Sequence, residues 1–212
     1  CVYKRGIPYA QIPTTFLAQI DSSIGGKTGV DLEEGKNLVG AFYQPKLVLS
    51  DVSCLSSLDP RQVRSGLAEA IKYALIKDRN LFVYLEKRLK DILALKPDSL
   101  EYVIGCCSSI KADIVSSDEL EEKGLRTILN FGHTIAHAIE AACRFKRYTH
   151  GEAVALGMLV ASDMSYTLKW LDGETLRRIE GLVQKAGLPS RITGVSLERV
   201  ISAHYHDKKF KG

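Results

Sequence analysis

The chain has 212 residues, 45% hydrophobic and 25% charged, a composition that supports a sizeable buried core and argues against a disordered or fibrous protein. Its 29 Lys and Arg against 25 Asp and Glu leave a formal net charge of +4 spread along the chain, which suits anionic small molecules better than nucleic acid. Five cysteines at 1, 54, 106, 107 and 143 form no CxxC pair, and no apolar run approaches the ~20 residues of a membrane span, so the expectation is a cytoplasmic protein with neither a disulfide framework nor a membrane partner.

In chain order, the first strand signals are "YAQIPTT" (9 to 15) and "KLVLSD" (46 to 51). Between them "DSSIGGKTGVDLEEGKNLVG" (21 to 40) shows no strand or helix period and reads as a glycine-rich loop carrying Asp21, Lys27, Thr28, Lys36 and Asn37. "GGKT" looks like the tail of a P-loop, but the glycine that motif needs five residues before Gly26 is Asp21. What remains is either a plain surface loop or a backbone-and-ammonium site for an anion.

From residue 59 the pattern turns helical. Asp59 offers an N-cap, Pro60 suits the first helical position and Gln62 suits a capping box, so a helix should follow through "VRSGLAEAIKYALI". Further helices are expected at 81–94, 99–117, 126–143, 152–171, 174–186 and 196–205. The expected fold class is α+β, with a small β-containing segment at 1–58 and an all-helical domain at 59–212. The chain opens on Cys1 rather than Met and closes on "DKKFKG", and so reads as a piece of something longer.

The stretch "RTILNFGHTIAHAIEAACR" (126 to 144) carries the densest chemistry. Projected as one helix, Arg126, Asn130, His133, His137 and Glu140 share a polar stripe about 80° wide, opposite an apolar side. An i, i+4 histidine pair can grip a metal ion, yet "HTIAH" lacks the glutamate of the HExxH motif. A third donor could come from His150, in a loop before the next helix, or from a carboxylate such as Glu69. On its own, Glu69 reads as half of a surface pair with Lys72. Lys111 falls in the middle of an apolar helix face, where it must snorkel or find an anion.

Together the runs "RGIPYAQIPTTFLAQIDSSIGGKTGVD", "GKNLVGAFYQP", "SGLAEAIKYALI", "IKADIV", "DELEEKGLRTILNFGHTIAHAIE", "HGEAVALGM" and the terminal "DKK" closely resemble 3-dehydroquinate synthases, in the family's order and over nearly the whole chain. The resemblance implies an NAD-dependent, zinc-dependent enzyme, with cobalt as an alternative metal, that converts 3-deoxy-D-arabino-heptulosonate 7-phosphate to 3-dehydroquinate and phosphate. It implies a helical C-terminal domain preceded by the end of a Rossmann-like domain, and a homodimer. Carried over by motif, the metal ligands fall on Glu69, His133 and His150. Substrate contacts fall on Asp21, Lys27, Asn37, Lys111, Arg126, Asn130, His137 and Lys208, and cofactor contacts on Thr14, Thr15, Lys27, Lys36 and Ser57.

The sequence departs from the family at Asp59, Gln62 and Ala136, where Pro, Glu and Gly are usual. The family's glycine-rich nucleotide-binding segment is not seen before Arg5, so most of the dinucleotide-binding domain is expected to lie outside this chain. A related cyclase for a neutral sugar phosphate, and a non-catalytic metal-binding helical module, are the competing readings.

Overall fold

Asp59 and Pro60 start the central helix as their chemistry requires: the Asp59 carboxylate accepts from Arg61 N, and Pro60 gives up no hydrogen bond at the first position. In the computed structural model, which describes residues 3, 6–32 and 35–205, this helix is α1, Pro60–Lys77. It is followed by α2 (Arg79–Leu93), α3 (Pro97–Ser117), α4 (His133–Ala142), α5 (His150–Thr167), α6 (Gly173–Lys185) and α7 (Leu197–Tyr205). The 3-10 turns Val52–Ser57 and Leu125–Asn130 precede α1 and α4. No helix among the described residues is long and apolar enough to cross a membrane.

α1 is buried almost all round from Val63 to Ala74 and packs against α2, α3 and α5, which makes it the axis of the core. Phe16, Ile20 and Leu55 from the first 58 residues enter the same core as Leu67, Ile71, Leu85, Val103, Ile139 and Val154. Ala136 is fully buried among them, so its departure from the family's glycine is a matter of helix packing.

The N-terminal region differs from its sequence reading. The two strand signals pair in parallel, but only over Ala10–Gln11 (β1) and Leu47–Val48 (β4). The glycine-rich "loop" is an antiparallel hairpin, β2 (Lys27–Leu32) with β3 (Gly35–Phe42), in which Gly29 faces Gly40 and Val30 faces Val39. The glycines hid the strands because they sit in cross-strand pairs, where a side chain on Gly40 would run into Thr28 O.

A second correction concerns 126–143, expected as one helix. Gly132 adopts φ 78°, a left-handed conformation that ends the 3-10 turn and restarts the chain as α4 at His133. Arg126 and Asn130 therefore do not share a helical stripe with His133, His137 and Glu140. His150 is likewise not a loop residue. Thr149 and Glu152 form a capping box, and His150 is the first residue of α5.

Two glycines on α5 set the helix spacing. A Cβ on Gly151 would overlap Ser65 O of α1, and Gly151 N donates to Ser65 Oγ at 3.0 Å. A Cβ on Gly157 would overlap Gly132 O at the head of α4. Backbone approaches this close are open only to glycine, and they bring α1, α4 and α5 together near one point.

Candidate metal and anion site

That point is where Glu69, from the buried middle of α1, meets His133 and His150, from the first turns of α4 and α5. Each offers one ligand atom, and these atoms lie within 4.8 Å of one another. Both imidazole Nε2 atoms stand 3.5 Å from Glu69 Oε1. Their other ring nitrogens are engaged elsewhere, His133 Nδ1 with Phe131 O and His150 Nδ1 with Glu140 Oε1, both at 3.2 Å. Metal-ligating histidines are oriented in just this manner, by an acceptor behind the ring.

Glu69 is 1% exposed and Lys72 2%, so the surface-pair reading of Glu69 is overturned. Lys72 Nζ lies 2.5 Å from Oε2 in a buried ion pair, while Oε1, which faces the two imidazoles, has no hydrogen-bond partner among the described residues. Burial pushes the Glu69 carboxyl up, but Lys72 and the two imidazoles outweigh it and hold the group well below the usual carboxylate range. Burial brings His133 down to about 4 against the pull of Glu69. Burial acts the same way on His150, but the carboxylates of Glu140 and Glu69 prevail and raise it to about 10.

A buried carboxylate with unfilled lone pairs, beside two convergent imidazoles, fits a divalent cation of the zinc class. Among the described residues it is His150, not His137, that joins Glu69 and His133. His137, one turn on, sets its ring edge-on to His133 with centroids 5.6 Å apart.

Beside this cluster an open cleft of about 660 Å³ is lined by Asp21, Ser22, Lys27, Thr28, Lys111 and Arg126 among others. Lys111 has found an anion rather than snorkelled: its Nζ is 2.9 Å from Asp21 Oδ1 and donates to Asp21 O at 2.6 Å. Burial lowers the Lys111 pKa, and Asp21 opposes that shift. Arg126 is 4% exposed and donates to Glu119 O at 3.0 Å, while its buried Nε has no hydrogen-bond partner among the described residues. Lys27 is exposed and pairs with Glu121. Asn130 ends the 3-10 turn before α4 and is half-buried.

Of the described residues assigned to a cofactor, Lys27 lines the cleft, whereas Thr14, Thr15 and Ser57 do not. Thr14 and Ser57 are exposed, and Thr15 Oγ1 accepts from Ala18 N at 3.2 Å. Their segments are nonetheless tied together, because buried Gln19 donates to Pro13 O at 3.1 Å and Asp51 O at 2.8 Å. The side chains of Lys36 and Asn37, and all of Lys208, lie outside the described residues.

Sequence reasoning had Glu140 in the polar stripe with His133 but missed Lys72 and Tyr73 as parts of this environment. The signal available for Lys72 was a lysine three residues after a glutamate within an otherwise apolar run, a pattern it shares with solvated helix faces.

Known proteins place this arrangement in a family. The profile described as 3-dehydroquinate synthase C-terminal matches residues 66–210, and that described as 3-dehydroquinate synthase N-terminal matches residues 1–65. The 3-dehydroquinate synthase of Caldanaerobacter subterraneus subsp. tengcongensis is 52% identical over 209 residues, 99% of this chain and 58% of its own length. That of Acidithiobacillus ferrooxidans is 50% identical over 211 residues, 100% of this chain and 58% of its own. The chain thus spans under two thirds of the relatives it matches. Among solved structures, 2-epi-5-epi-valiolone synthase from Streptomyces hygroscopicus subsp. jinggangensis, with NAD+ and Zn2+ bound, superimposes with a TM-score of 0.89 at 31% identity, covering 98% of this chain and 58% of that one. A 2-deoxy-scyllo-inosose synthase complexed with carbaglucose-6-phosphate, NAD+ and Co2+ gives 0.87 at 35% identity, covering 98% and 56%. With a family profile over more than half its length and relatives at about 50% identity, this chain belongs to the 3-dehydroquinate synthase family.

Proposed function

We propose that this chain works as part of a 3-dehydroquinate synthase, a lyase that converts 3-deoxy-D-arabino-heptulosonate 7-phosphate to 3-dehydroquinate and phosphate on the way to chorismate and the aromatic amino acids. The observation that carries the reading is the juxtaposition of the Glu69, His133 and His150 donors with a cleft holding two buried cations, Lys111 and Arg126. Glu69, His133 and His150 would hold zinc, or cobalt in its place, which when bound supplies a Lewis acid for an alcohol or ketone oxygen.

The remaining groups bind and orient. An acidic sugar phosphate carries a carboxylate and a phosphate, and Arg126 and Lys111 answer that charge from low-dielectric positions, with Lys27 at the solvent edge. Arg126 lines the cleft and brings its guanidinium to such an anion. Asp21 accepts from a substrate hydroxyl, and Asn37, Asn130, His137 and Lys208 complete the set of contacts. Much of the acceleration then comes from holding the reacting groups in register.

Residues 1–58 are read as the end of the NAD-binding domain and 59–212 as the metal- and substrate-binding domain, with Thr14, Thr15, Lys27, Lys36 and Ser57 toward NAD. The whole protein is read as a cytoplasmic homodimer. A cyclase for a neutral sugar phosphate is the second reading, motivated by the valiolone and inosose synthase neighbours. Buried Arg126 and the higher identity to the dehydroquinate enzymes favour the first.

The test is metal content after dialysis against metal-free buffer, together with turnover of both substrate types by the complete protein. His133→Ala and His150→Ala should lose metal and turnover, while His137→Ala keeps metal and loses turnover. Metal lost with His137→Ala but kept with His150→Ala would overturn the ligand set. Turnover of only the neutral sugar phosphate would move the protein to the second reading, and metal binding without turnover of either would leave a non-catalytic module.

A further inference from the structure

We propose that Tyr73 is a positioning residue that fixes Asp21 at the anion cleft and links that cleft to the Glu69 cluster; the proposal rests on the functional reading above.

Tyr73 lies on α1, next to Lys72 and four residues after Glu69, and it is fully buried. A buried phenol needs a partner for its hydroxyl, since an unmet O–H keeps its desolvation cost. The partner is Asp21: the Tyr73 hydroxyl donates to Asp21 Oδ1. The same oxygen receives Lys111 Nζ from α3, at 2.9 Å. Asp21 is therefore held from two helices, by a neutral donor and by a cation, and Oδ2 is the oxygen it has to offer a bound substrate. At the other end of the same side chain, Lys72 Nζ stands 4.7 Å from the Tyr73 ring centroid while it touches Glu69. One rigid side chain thus meets the ammonium that neutralises the candidate metal carboxylate and the carboxylate that lines the cleft. Phenylalanine would fill the same space and keep the ring under Lys72. A purely packing role therefore predicts that the hydroxyl is dispensable.

Removing the hydroxyl leaves Asp21 with Lys111 alone among the described residues. The carboxylate can then turn toward the ammonium, and both groups lose their orientation toward a substrate.

The experiment is a double-mutant cycle of Tyr73→Phe and Asp21→Ala in the complete, metal-loaded enzyme. Unfolding temperature and metal content are measured alongside. We expect Tyr73→Phe to lower kcat/KM about tenfold with metal content unchanged, and to cost less than about twofold once Asp21 is alanine. Equal losses in both backgrounds, or no loss with Asp21 present, would overturn the proposal. A second readout needs no turnover: the 1H–15N signal of the Lys111 ammonium group should shift on Tyr73→Phe and should not respond to it in the Asp21→Ala background. If the wild-type enzyme turns over neither candidate substrate, the functional reading fails, and this signal alone decides for Tyr73, an unchanged signal in the single variant counting against it.

Discussion

The Glu69 cluster and the Asp21 cleft lie side by side but are built in different ways. The cluster draws on three helices whose spacing is set by backbone touching backbone, at Ser65 with Gly151 and at Gly132 with Gly157. The cleft draws on the short turn Ala18–Ser22, the hairpin strand β2, α3 and a 3-10 turn, and is held by long side chains such as Lys111 and Lys27. Backbone contacts have almost no freedom to adjust, whereas lysine and arginine stems can move. The cluster is therefore the rigid half of the site and the cleft the adaptable half.

Four substitutions test that contrast. Glu69→Ala should have the largest effect, because it strands the buried Lys72 ammonium. A loss of about 3–5 kcal/mol in urea unfolding is expected, with most of it restored by adding Lys72→Met. Gly151→Ala forces a methyl onto Ser65 O and should cost about 1–3 kcal/mol, with metal affinity falling in parallel because His150 moves with the backbone. If affinity survives while stability falls, the cluster is less rigid than its packing implies. Glu140→Ala removes the carboxylate behind His150 and should weaken metal binding about 10–100-fold by equilibrium competition with a chelator, leaving the fold intact. Lys27→Ala should change stability by less than about 0.5 kcal/mol, since its pair with Glu121 is exposed, while loosening inorganic phosphate in a titration of the cleft. A stability loss as large as that of Gly151→Ala would erase the distinction between the two halves.

Much of the helical architecture was legible because its signals are local. Asp59 with Pro60, the apolar periods of α2 and α6, and the glycine after Ala186 all act within a few residues of themselves. What was hidden depends on distant partners. Gly29 and Gly40 look like loop residues until one sees that each faces the other across β2 and β3. Glu69 and Lys72 show a spacing common on wet surfaces, and only the packing of α2, α3 and α5 around α1 buries them. The convergence of Glu69, His133 and His150 could be suspected from their residue types and followed from the family resemblance. The break at Gly132 takes Arg126 and Asn130 off the helical stripe, and the i, i+4 spacing of His133 and His137 gives no sign that His150, at the head of α5, is the histidine that meets Glu69.

The two glycine contacts have one further consequence. α1 is located against α5 at Gly151, α4 is located against α5 at Gly157, and the third donor sits on α5 itself. In workshop terms α5 is a common datum: every part is measured from the same face, so small placement errors do not accumulate from one part to the next. Drift elsewhere in the bundle can tilt α2 or α6 and still leave the distances among the three donors nearly as they were.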